Sequence, residues 1–397
     1  MFDYDVIVAG AGPVGTVAAY ALAQAGIRVA VLEAGADCAE DLRASTFHPS
    51  SLEMLAELGV LDELLPQGLK APVYQYRIRQ TNEVLGFDLT ELSDVTPYPF
   101  RLQAEQFKLA RLLAGKLAAH PQGAMRFNSR VVHFMQDDAG VSVAVETPTA
   151  IEHYRTRYLI ACDGANSIIR KWLGVGFEGF TYPEKFLCLS TTWPLQDHFE
   201  DLAPVNYVAD PDEWRVLLRV PTMWRVLVPA HEAATDAELR GDAKKREVFE
   251  RLIGEGDAVE TCHRTIYRVH QRVATRYDHG RVLLIGDAAH LNNPLGGLGM
   301  NSGIHDAINL VEKLKPILLE GAEAAPLLAR FDRQRRSVMH GFVQAQTIRN
   351  KAMMESKETQ NDYYEEMRGH CYDPDKRRAY LMKQSMFTSL AEAEAVA

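Results

Sequence analysis

Four short, mainly apolar runs recur along the chain with little polar alternation. They occupy residues 4–9, 28–32, 158–161 and 281–285. A parallel strand that is buried on both faces has this continuous pattern, whereas a strand with one face in water alternates. An alanine-rich stretch that ends at Gly26 predicts a helix after the first run. The pattern therefore predicts strands of a buried sheet with a helix crossing over it.

The pattern of hydrophobic and polar positions changes twice in the later part of the chain. A middle segment is rich in short strand-like runs, including residues 186–193, 215–220 and 224–228. Residues 331–397 are charged and helical in pattern. A chain of 397 residues exceeds the size at which single cores stop growing, so two packed domains are expected, followed by a helical segment.

A glycine-rich turn joins the first apolar run to the predicted helix. Gly10, Gly12 and Gly15 follow the order G-x-G-x-x-G, in which one glycine makes the turn, one admits a pyrophosphate and one lets the helix pack closely. The helix N-terminus then directs free N–H groups at the phosphates. Glu33 ends the second run 18 residues after Gly15, where a carboxylate binds ribose hydroxyls. This order predicts a dinucleotide site rather than a simple turn, without distinguishing FAD from NAD.

Two further motifs place an aspartate at the C-terminal end of a predicted strand. Asp163 and Gly164 follow the third apolar run. Gly286 and Asp287 follow the fourth, and a glycine-rich loop at 294–301 comes next.

With these three motifs in this order, the chain resembles the single-component flavoprotein aromatic hydroxylases typified by para-hydroxybenzoate hydroxylase, up to about residue 345. The resemblance implies FAD held without a covalent bond, with Asp287 at the ribityl chain and the backbone of 297–301 at the flavin pyrimidine ring. Pro294 would be the wall of the oxygen site, and Leu298 stands where many members have Gln. The predicted cofactor-binding residues are Gly10, Gly12, Pro13, Val14, Gly15, Glu33, Ala34, Arg43, Gln103, Val131, Asp163, Gly286, Asp287, Gly297, Leu298, Gly299, Met300 and Asn301.

The resemblance also implies an α/β architecture: a Rossmann-like FAD-binding domain, an inserted mixed or antiparallel substrate sheet, and a helical C-terminal tail. The tail would cover the substrate pocket or contact a second subunit in a homodimer; the alternative is an ordinary solvated helical face. The predicted division is an FAD domain of 1–75, 100–178 and 265–330, a substrate domain of 76–99 and 179–264, and a helical segment of 331–397.

The substrate residues are sought in the inserted segment. Tyr207, Arg215, Arg219, Trp224 and Arg225 form an aromatic and arginine-rich cluster suited to a flat anionic ring. The alternative is that strand alternation places the arginines in solvent and the apolar residues inside. No acid or base residue is assigned, because His290, beside the second acidic motif, corresponds to a structural position of that family.

The composition limits partners and location. A formal net charge of −10 disfavours nucleic acid and anionic membranes. The five cysteines form no C-x-x-C pair, which favours reduced thiols over a disulfide framework or a zinc site. Pro13, Gln24 and Arg28 interrupt the apolar N-terminal stretch, so no targeting segment or membrane span is predicted and cytoplasm is the expected location.

The implied reaction begins when NADH or NADPH reduces FAD. Oxygen then forms a flavin C4a-hydroperoxide, which hydroxylates a phenol-like or N-heteroaromatic ring. Ala34, Gly35 and Ala36 supply no cation after Glu33, so a preference for NADPH is not indicated. The alternatives are a flavin halogenase, whose W-x-W-x-I-P signature is only partly matched at 224–229, a flavin reductase acting on prenyl double bonds, and a non-catalytic flavin-binding protein.

Overall fold

The computed structural model of the chain describes residues 1–40, 42, 44–210, 213–355 and 360–397. Within these residues the strands, in chain order, are β1 (Tyr4–Ala9), β2 (Val29–Leu32), β3 (Thr46–Phe47), β4 (Leu69–Ala71), β5 (Val73–Ile78), β6 (Glu83–Asp88), β7 (Arg101–Gln103), β8 (Gly123–Arg126), β9 (Arg130–Gln136), β10 (Val141–Glu146), β11 (Ile151–Ala161), β12 (Phe177–Thr191), β13 (Val205–Ala209), β14 (Arg215–Val220), β15 (Met223–Ala230), β16 (His263–Ala274), β17 (Asp278–His279), β18 (Val282–Leu284) and β19 (His290–Leu291).

The helices are α1 (Pro13–Gln24), α2 (Pro49–Glu57), α3 (Leu61–Leu64), α4 (Gln106–Ala119), α5 (Ile168–Trp172), α6 (Asp236–Arg240), α7 (Asp242–Ile253), α8 (Leu298–Lys315), α9 (Ala324–Val338), α10 (Ala345–Glu355), α11 (Gln360–Tyr372), α12 (Pro374–Gln384) and α13 (Phe387–Glu394). Short 3₁₀ turns occupy Leu65–Gln67, Leu89–Leu92, Leu195–His198 and Gly286–Ala288, and π-helical turns occupy Pro316–Glu320 and Met339–Gln344.

The first sheet is the predicted nucleotide-binding sheet. Its order is β17-β18-β11-β1-β2-β8, in which β18, β11, β1, β2 and β8 run parallel. Strand β11 is long enough to pair β10 antiparallel along its first half, and β9 extends the sheet beyond β10. The four apolar runs are confirmed as strands, and Val6, Ile7 and Val8 are fully buried, as expected for a central strand that is covered on both faces.

The second sheet is mainly antiparallel and has the order β19-β16-β12-β15-β14-β13-β5-β6. The pair β13 and β5 is parallel. One face packs on α6 and α7 through apolar residues such as Leu217 and Val226. The other face, which we call the aromatic face, carries Tyr74, Tyr76 and Tyr207. It is directed towards the glycine-rich loop at 294–301.

Two boundaries of this second sheet differ from the predicted division. The strand β5 begins at Val73, before the predicted start of the substrate segment at 76. The strand β16 extends to Ala274 and β19 follows at His290, although the FAD domain was predicted to resume at 265. The chain therefore returns to the first sheet at β17 and β18, with β19 still paired to the second sheet.

The C-terminal helices are present as predicted, and they contact both sheets. Helix α9 packs on α8, whereas α11 and α12 lie across the aromatic face. Ion pairs fix this position, with Arg368 2.6 Å from Glu83 and Arg378 2.6 Å from Asp94. The tail thus covers the aromatic face, and its use as a dimer contact stays a prediction. No helix among the described residues has the length and apolarity needed to cross a membrane.

Candidate active site

A cavity of about 670 Å³ lies where the C-terminal ends of β1, β2 and β11 meet the loop before α8. Its lining extends from the glycine turn to the 294–300 loop, so one continuous space joins the three motifs. The predicted residues that line it are Gly10, Gly12, Pro13, Val14, Glu33, Ala34, Val131, Asp163, Asp287, Pro294, Gly297, Leu298, Gly299 and Met300. Arg43 lies outside the described residues.

The three glycines of the first turn have different surroundings. A Cβ on Gly10, whose φ is +104°, would lie 2.3 Å from the carbonyl oxygen of Cys162. A Cβ on Gly15 would lie 2.2 Å from the carbonyl oxygen of Gly10, which explains its place in the packing of α1 on β1 rather than in the lining. A Cβ on Gly12 would meet nothing within 4 Å. The backbone at Gly12 is therefore open to the cavity beside the N-terminus of α1.

The carboxylate of Glu33 is held at the cavity by two backbone N–H groups. Ala11 donates to it at 2.7 Å and Gly35 at 2.8 Å. The first of these bonds joins the end of β2 to the glycine turn. The acid therefore stays beside the turn, where an adenosine ribose can reach it.

Asp163 and Arg170 connect the first acidic motif to the second. The Asp163 carboxylate accepts from the N–H of Ile168 at 2.8 Å, its other oxygen has no partner, and burial raises the pKa of this group. The Arg170 guanidinium donates to the carbonyl oxygens of Ala165 at 2.7 Å and Ala288 at 2.8 Å. This arginine therefore fixes the distance between the two motifs.

Behind the second motif lies a buried charge network. Asp306 accepts from Gly286 N–H at 3.1 Å, from His290 at 2.7 Å and from Arg335 at 2.6 Å. Burial by itself raises the pKa of Asp306, but the neighbouring His290 and the Arg335 guanidinium hold it at about 2. Gly286 and His290 are consequently support residues outside the lining. Asp287, the next residue after Gly286, is exposed and lines the cavity.

The loop before α8 is held by side chains behind it. Gly296 and Gly297 have φ values of +106° and +69°, and α8 begins at Leu298. The Asn301 amide donates to the carbonyl oxygens of Thr46 at 2.8 Å and Gly297 at 2.7 Å. Asn301 therefore supports the loop through its side chain and does not line the cavity.

Gln103 also lies behind the lining, next to Thr46. Its amide oxygen accepts from the Thr46 hydroxyl at 2.9 Å, whereas its amide nitrogen is buried without a partner. Thr46 itself lines the cavity. The unused amide donor of Gln103 therefore lies directly behind a residue of the lining.

The predicted substrate cluster is divided between the two faces of the second sheet. Tyr207 lies on the aromatic face, with its ring centroid 4.9 Å from that of Tyr76. Arg225 lies on the same side and donates to the Ser45 hydroxyl at 3.1 Å and the Tyr267 hydroxyl at 3.0 Å. Ser45 lines the cavity, so Arg225 adjoins it.

Three of the predicted substrate residues require correction. Trp224 alternates with Arg225 and packs in the cluster beneath α7. Arg219 lies over the Trp224 ring at 5.5 Å, on that same side. Arg215 is buried in ion pairs with Asp210 and Glu213. Strand alternation places these side chains on the face away from the cavity. The alternative that alternation would put the arginines in solvent is wrong for Arg215, which is buried.

The structure adds Arg101 and His48, which the sequence analysis did not select. Strand β3 pairs with β7, with Thr46 opposite Gln103, so Arg101 and His48 come together at the end of this short ladder. The Arg101 guanidinium lies 4.0 Å from the centroid of the Tyr74 ring. His48 Nε2 is 2.9 Å from the carbonyl oxygen of Gly296 in the loop before α8. This site forms only because β3 and β7, which are distant in the sequence, pair with each other.

The cavity fits FAD in three observable respects. The open backbone at Gly12 admits a pyrophosphate at a helix N-terminus. Asp287 faces the cavity, and the partnerless amide nitrogen of Gln103 lies beside it. These groups match the phosphates and hydroxyls of a dinucleotide, and the space continues to the glycine loop at 296–300.

The fold and this cavity define a flavoprotein with a Rossmann-like nucleotide domain and an inserted substrate sheet. Residues 3–346 match the family described as FAD binding domain. The chain belongs to this family, and within it to the FAD-dependent aromatic-ring monooxygenases similar to para-hydroxybenzoate hydroxylase.

Two curated proteins and one solved structure resemble nearly the whole chain. Para-nitrophenol 4-monooxygenase of Pseudomonas sp. (strain WBC-3) is 33% identical over 358 residues, which are 89% of this chain and 88% of that protein. The 6-hydroxy-3-succinoylpyridine 3-monooxygenase of Pseudomonas putida (strain DSM 28022 / S16) is 33% identical over 95% of this chain and 96% of that protein. The crystal structure of p-nitrophenol 4-monooxygenase from Pseudomonas putida DLL-E4 has a TM-score of 0.90 and 30% identity, and the match covers 96% of this chain and 98% of that chain.

Proposed function

We propose that this protein binds FAD without a covalent bond, accepts electrons from NADH or NADPH, and uses O₂ to hydroxylate a single-ring phenol or hydroxypyridine. The observation that carries the proposal is the continuity of one cavity from the glycine turn and Glu33 to Pro294 and Met300. A nucleotide cofactor at one end therefore extends to the loop that faces the substrate sheet.

The residues that would hold FAD follow from their positions in the cavity. Gly12 and the first N–H groups of α1 receive the pyrophosphate, and Glu33 receives the adenosine ribose. Asp287 in the lining and Gln103 just behind it would bind the ribityl chain, and the N-terminus of α8 would offer its partial positive charge to the flavin ring. When bound, FAD supplies the redox chemistry and the activation of oxygen.

The loop around Pro294 would form a rigid wall beside the reacting part of the flavin. Pro294 has no N–H group to offer and fixes its own φ angle. The preceding Asn293 is fully buried, donates to the carbonyl oxygen of Thr347 at 2.8 Å and accepts from the N–H of Leu295 at 3.1 Å. These bonds hold the loop against α10, which helps to exclude water during oxygen transfer.

The substrate class is proposed from the aromatic face and from the two relatives. Tyr76 and Tyr207 offer flat apolar surface with polar tips, and Tyr363 and Tyr380 of the tail pack against that surface. Nitrophenol and hydroxypyridine are single-ring compounds with a ring hydroxyl, and both relatives act on such compounds by name. We extend this class, rather than either compound, to the present chain.

Both nicotinamide donors remain in the proposal. The absence of a cation at Ala34 to Ala36 concerns the end of the cavity that is assigned to the FAD adenosine. It therefore gives no information on where NADPH would place its 2′-phosphate. Kinetics with each donor would decide between them.

The test is a screen of phenols and hydroxypyridines with the FAD-loaded enzyme. We expect selected compounds to stimulate NADH or NADPH oxidation and O₂ consumption, and each product to gain one oxygen atom by mass. The proposal would be contradicted if NADH or NADPH is oxidised but none of the tested compounds gains an oxygen atom. Saturation of a double bond or incorporation of a halide would instead identify the reductase or halogenase alternative, and a chain that never oxidises either donor would be a non-catalytic flavin-binding protein.

A further inference from the structure

Arg101 is a buried cation without a carboxylate partner. Its side chain is 2% exposed, and no acidic group among the described residues forms an ion pair with it. Its Nε and one terminal nitrogen have no hydrogen-bond partner. Two further arginines that the structure describes, Arg215 and Arg335, are buried to this degree, and both have carboxylates at 3.2 Å or less. Because burying an unpaired charge is strongly unfavourable, the site is chemically incomplete.

The groups around Arg101 are neutral. Its guanidinium lies 4.0 Å from the centroid of the Tyr74 ring, and the electrostatic neighbours of Arg101 include the hydroxyls of Tyr207 and Tyr76. Burial raises the pKa of Tyr76, which stacks on Tyr207, to about 12, and raises that of Tyr74 well above its ordinary value. These tyrosines therefore solvate the cation without neutralising it.

His48 is also neutral, and it connects this site to the loop before α8. Burial, followed by the charge of Arg101, lowers the pKa of His48 to about 3. A carbonyl oxygen can only accept, so the neutral ring donates from Nε2 to Gly296, and Nδ1 is left as a buried acceptor without a partner. The group that completes this site must supply a negative charge next to the loop that carries Pro294.

We propose that Arg101 binds the oxyanion of the ring substrate, either its phenolate or a ring carboxylate. This inference rests on the proposed function and names the charge state of its substrate. The location favours substrate over FAD, because Arg101 lies among the tyrosines of the substrate sheet and does not line the cavity that joins the nucleotide motifs. A phenolate bound to Arg101 would also have a more electron-rich ring than the neutral phenol. An electrophilic oxygen attacks such a ring more readily.

Binding to the FAD-loaded enzyme, measured without any electron donor, tests this assignment. The probes are two matched pairs: 4-nitrophenol with its methyl ether 4-nitroanisole, and benzoate with benzamide. The proteins are the parent, Arg101→Met and the control Arg219→Ala, whose side chain lies on the opposite face of the sheet. Flavin absorbance and fluorescence report binding, and FAD content is measured in parallel.

We expect Arg101→Met to weaken binding of an ionised probe by about 30-fold or more, as for truncation of a buried charge contact. Its binding of the matched neutral probe should change by less than about threefold. Loss confined to 4-nitrophenol identifies a phenolate subsite, and loss confined to benzoate identifies a carboxylate subsite. Arg219→Ala should bind all four probes like the parent.

Stability gives a second, independent measurement. Removal of an unpaired buried cation should leave the thermal midpoint of substrate-free Arg101→Met equal to or above that of the parent. A lower midpoint, loss of FAD, or equal weakening of charged and neutral probes would overturn the inference, since Arg101 would then support the fold or the cofactor. Unchanged binding of both ionised probes would also overturn it. Hydroxylation by the parent enzyme tests the proposed function separately.

Discussion

The carboxylate of Asp306 accepts a 2.6 Å hydrogen bond from the guanidinium of Arg335, and both side chains are almost completely buried. The same carboxylate accepts from the Gly286 N–H, so α8 and α9 together position the second acidic motif. The position of Asp287, which we propose as a cofactor contact, therefore depends on charges that do not line the cavity.

We expect Asp306→Asn to destabilise the protein by about 3 to 5 kcal/mol, because removing one partner leaves Arg335 buried with its charge uncompensated. Urea unfolding measures the difference. The control is Asp5→Asn, which removes the partner of the half-exposed Arg28 and should cost no more than about 1 kcal/mol. Equal effects of the two substitutions would show that the buried network does not stabilise the fold.

The same carboxylate predicts a dependence of stability on pH. The pKa of Asp306 is lowered from 3.8 to about 2 in the folded chain. Its contribution to stability is therefore fully present above the unfolded value and is lost as the pH falls through the folded value. Between pH 4 and pH 2 the free energy of unfolding should fall less steeply in Asp306→Asn than in the parent. Parallel curves in the two proteins would be inconsistent with this assignment.

Substitution of the first glycines should separate folding from cofactor binding. Gly12→Leu should fold with the parent's thermal midpoint in its FAD-free form and lose FAD, because the added side chain enters open space in the cavity. Gly15→Ala should lower the midpoint, since its Cβ would lie 2.2 Å from the Gly10 carbonyl oxygen. Thermal unfolding and flavin absorbance measure the two effects. Retention of FAD in Gly12→Leu would mean that the pyrophosphate lies elsewhere.

Asp287→Ala should weaken FAD binding by about 1 to 3 kcal/mol, as expected for the loss of a hydrogen bond that leaves its partner unsatisfied. Titration of the flavin-free protein with FAD measures the change. Asp138→Ala, at an exposed acid that does not line the cavity, is the matched control. A variant that binds FAD as tightly as the control does would remove Asp287 from the ribityl site.

Asn293→Ala should uncouple oxygen use from hydroxylation. The substitution leaves the Leu295 N–H and the Thr347 carbonyl oxygen without their partner, so the wall around Pro294 loosens and admits water. We expect more hydrogen peroxide for each molecule of donor oxidised, with FAD content unchanged. The ratio of peroxide to product measures this directly. A ratio equal to the parent's would show that loop rigidity does not protect the oxygen step.

The nucleotide half of the site could be predicted from the sequence because the residues that define it are close together along the chain. A strand, a glycine turn and a helix follow one another directly, and Gly10, Gly12 and Glu33 therefore have fixed relations to one another. The acidic motifs at Asp163 and Asp287 obey the same rule, since each follows a buried parallel strand. Parallel strands bring such ends to one edge of the sheet.

The substrate half was less accessible because tertiary packing decides it. Alternation shows that Trp224 and Arg225 lie on opposite faces, but only tertiary packing determines which face meets α7 and which faces the cavity and the tail. Arg101 and His48 are 53 positions apart and meet only through the pairing of β3 with β7. A strand of three residues, such as β7, has too little sequence to reveal its partner.

The residues that line the cavity assigned to FAD and the tail residues that cover the aromatic face lie in separate parts of the chain. The match to the FAD binding domain family spans residues 3–346, whereas Tyr363, Met367 and Tyr380 beyond it cover the aromatic face. Of the residues after 346 that the structure describes, none lines the cavity assigned to FAD. Substitutions in α11 and α12 can therefore diversify which rings are admitted while the redox half remains constant, and these two helices are a natural place for laboratory evolution to begin.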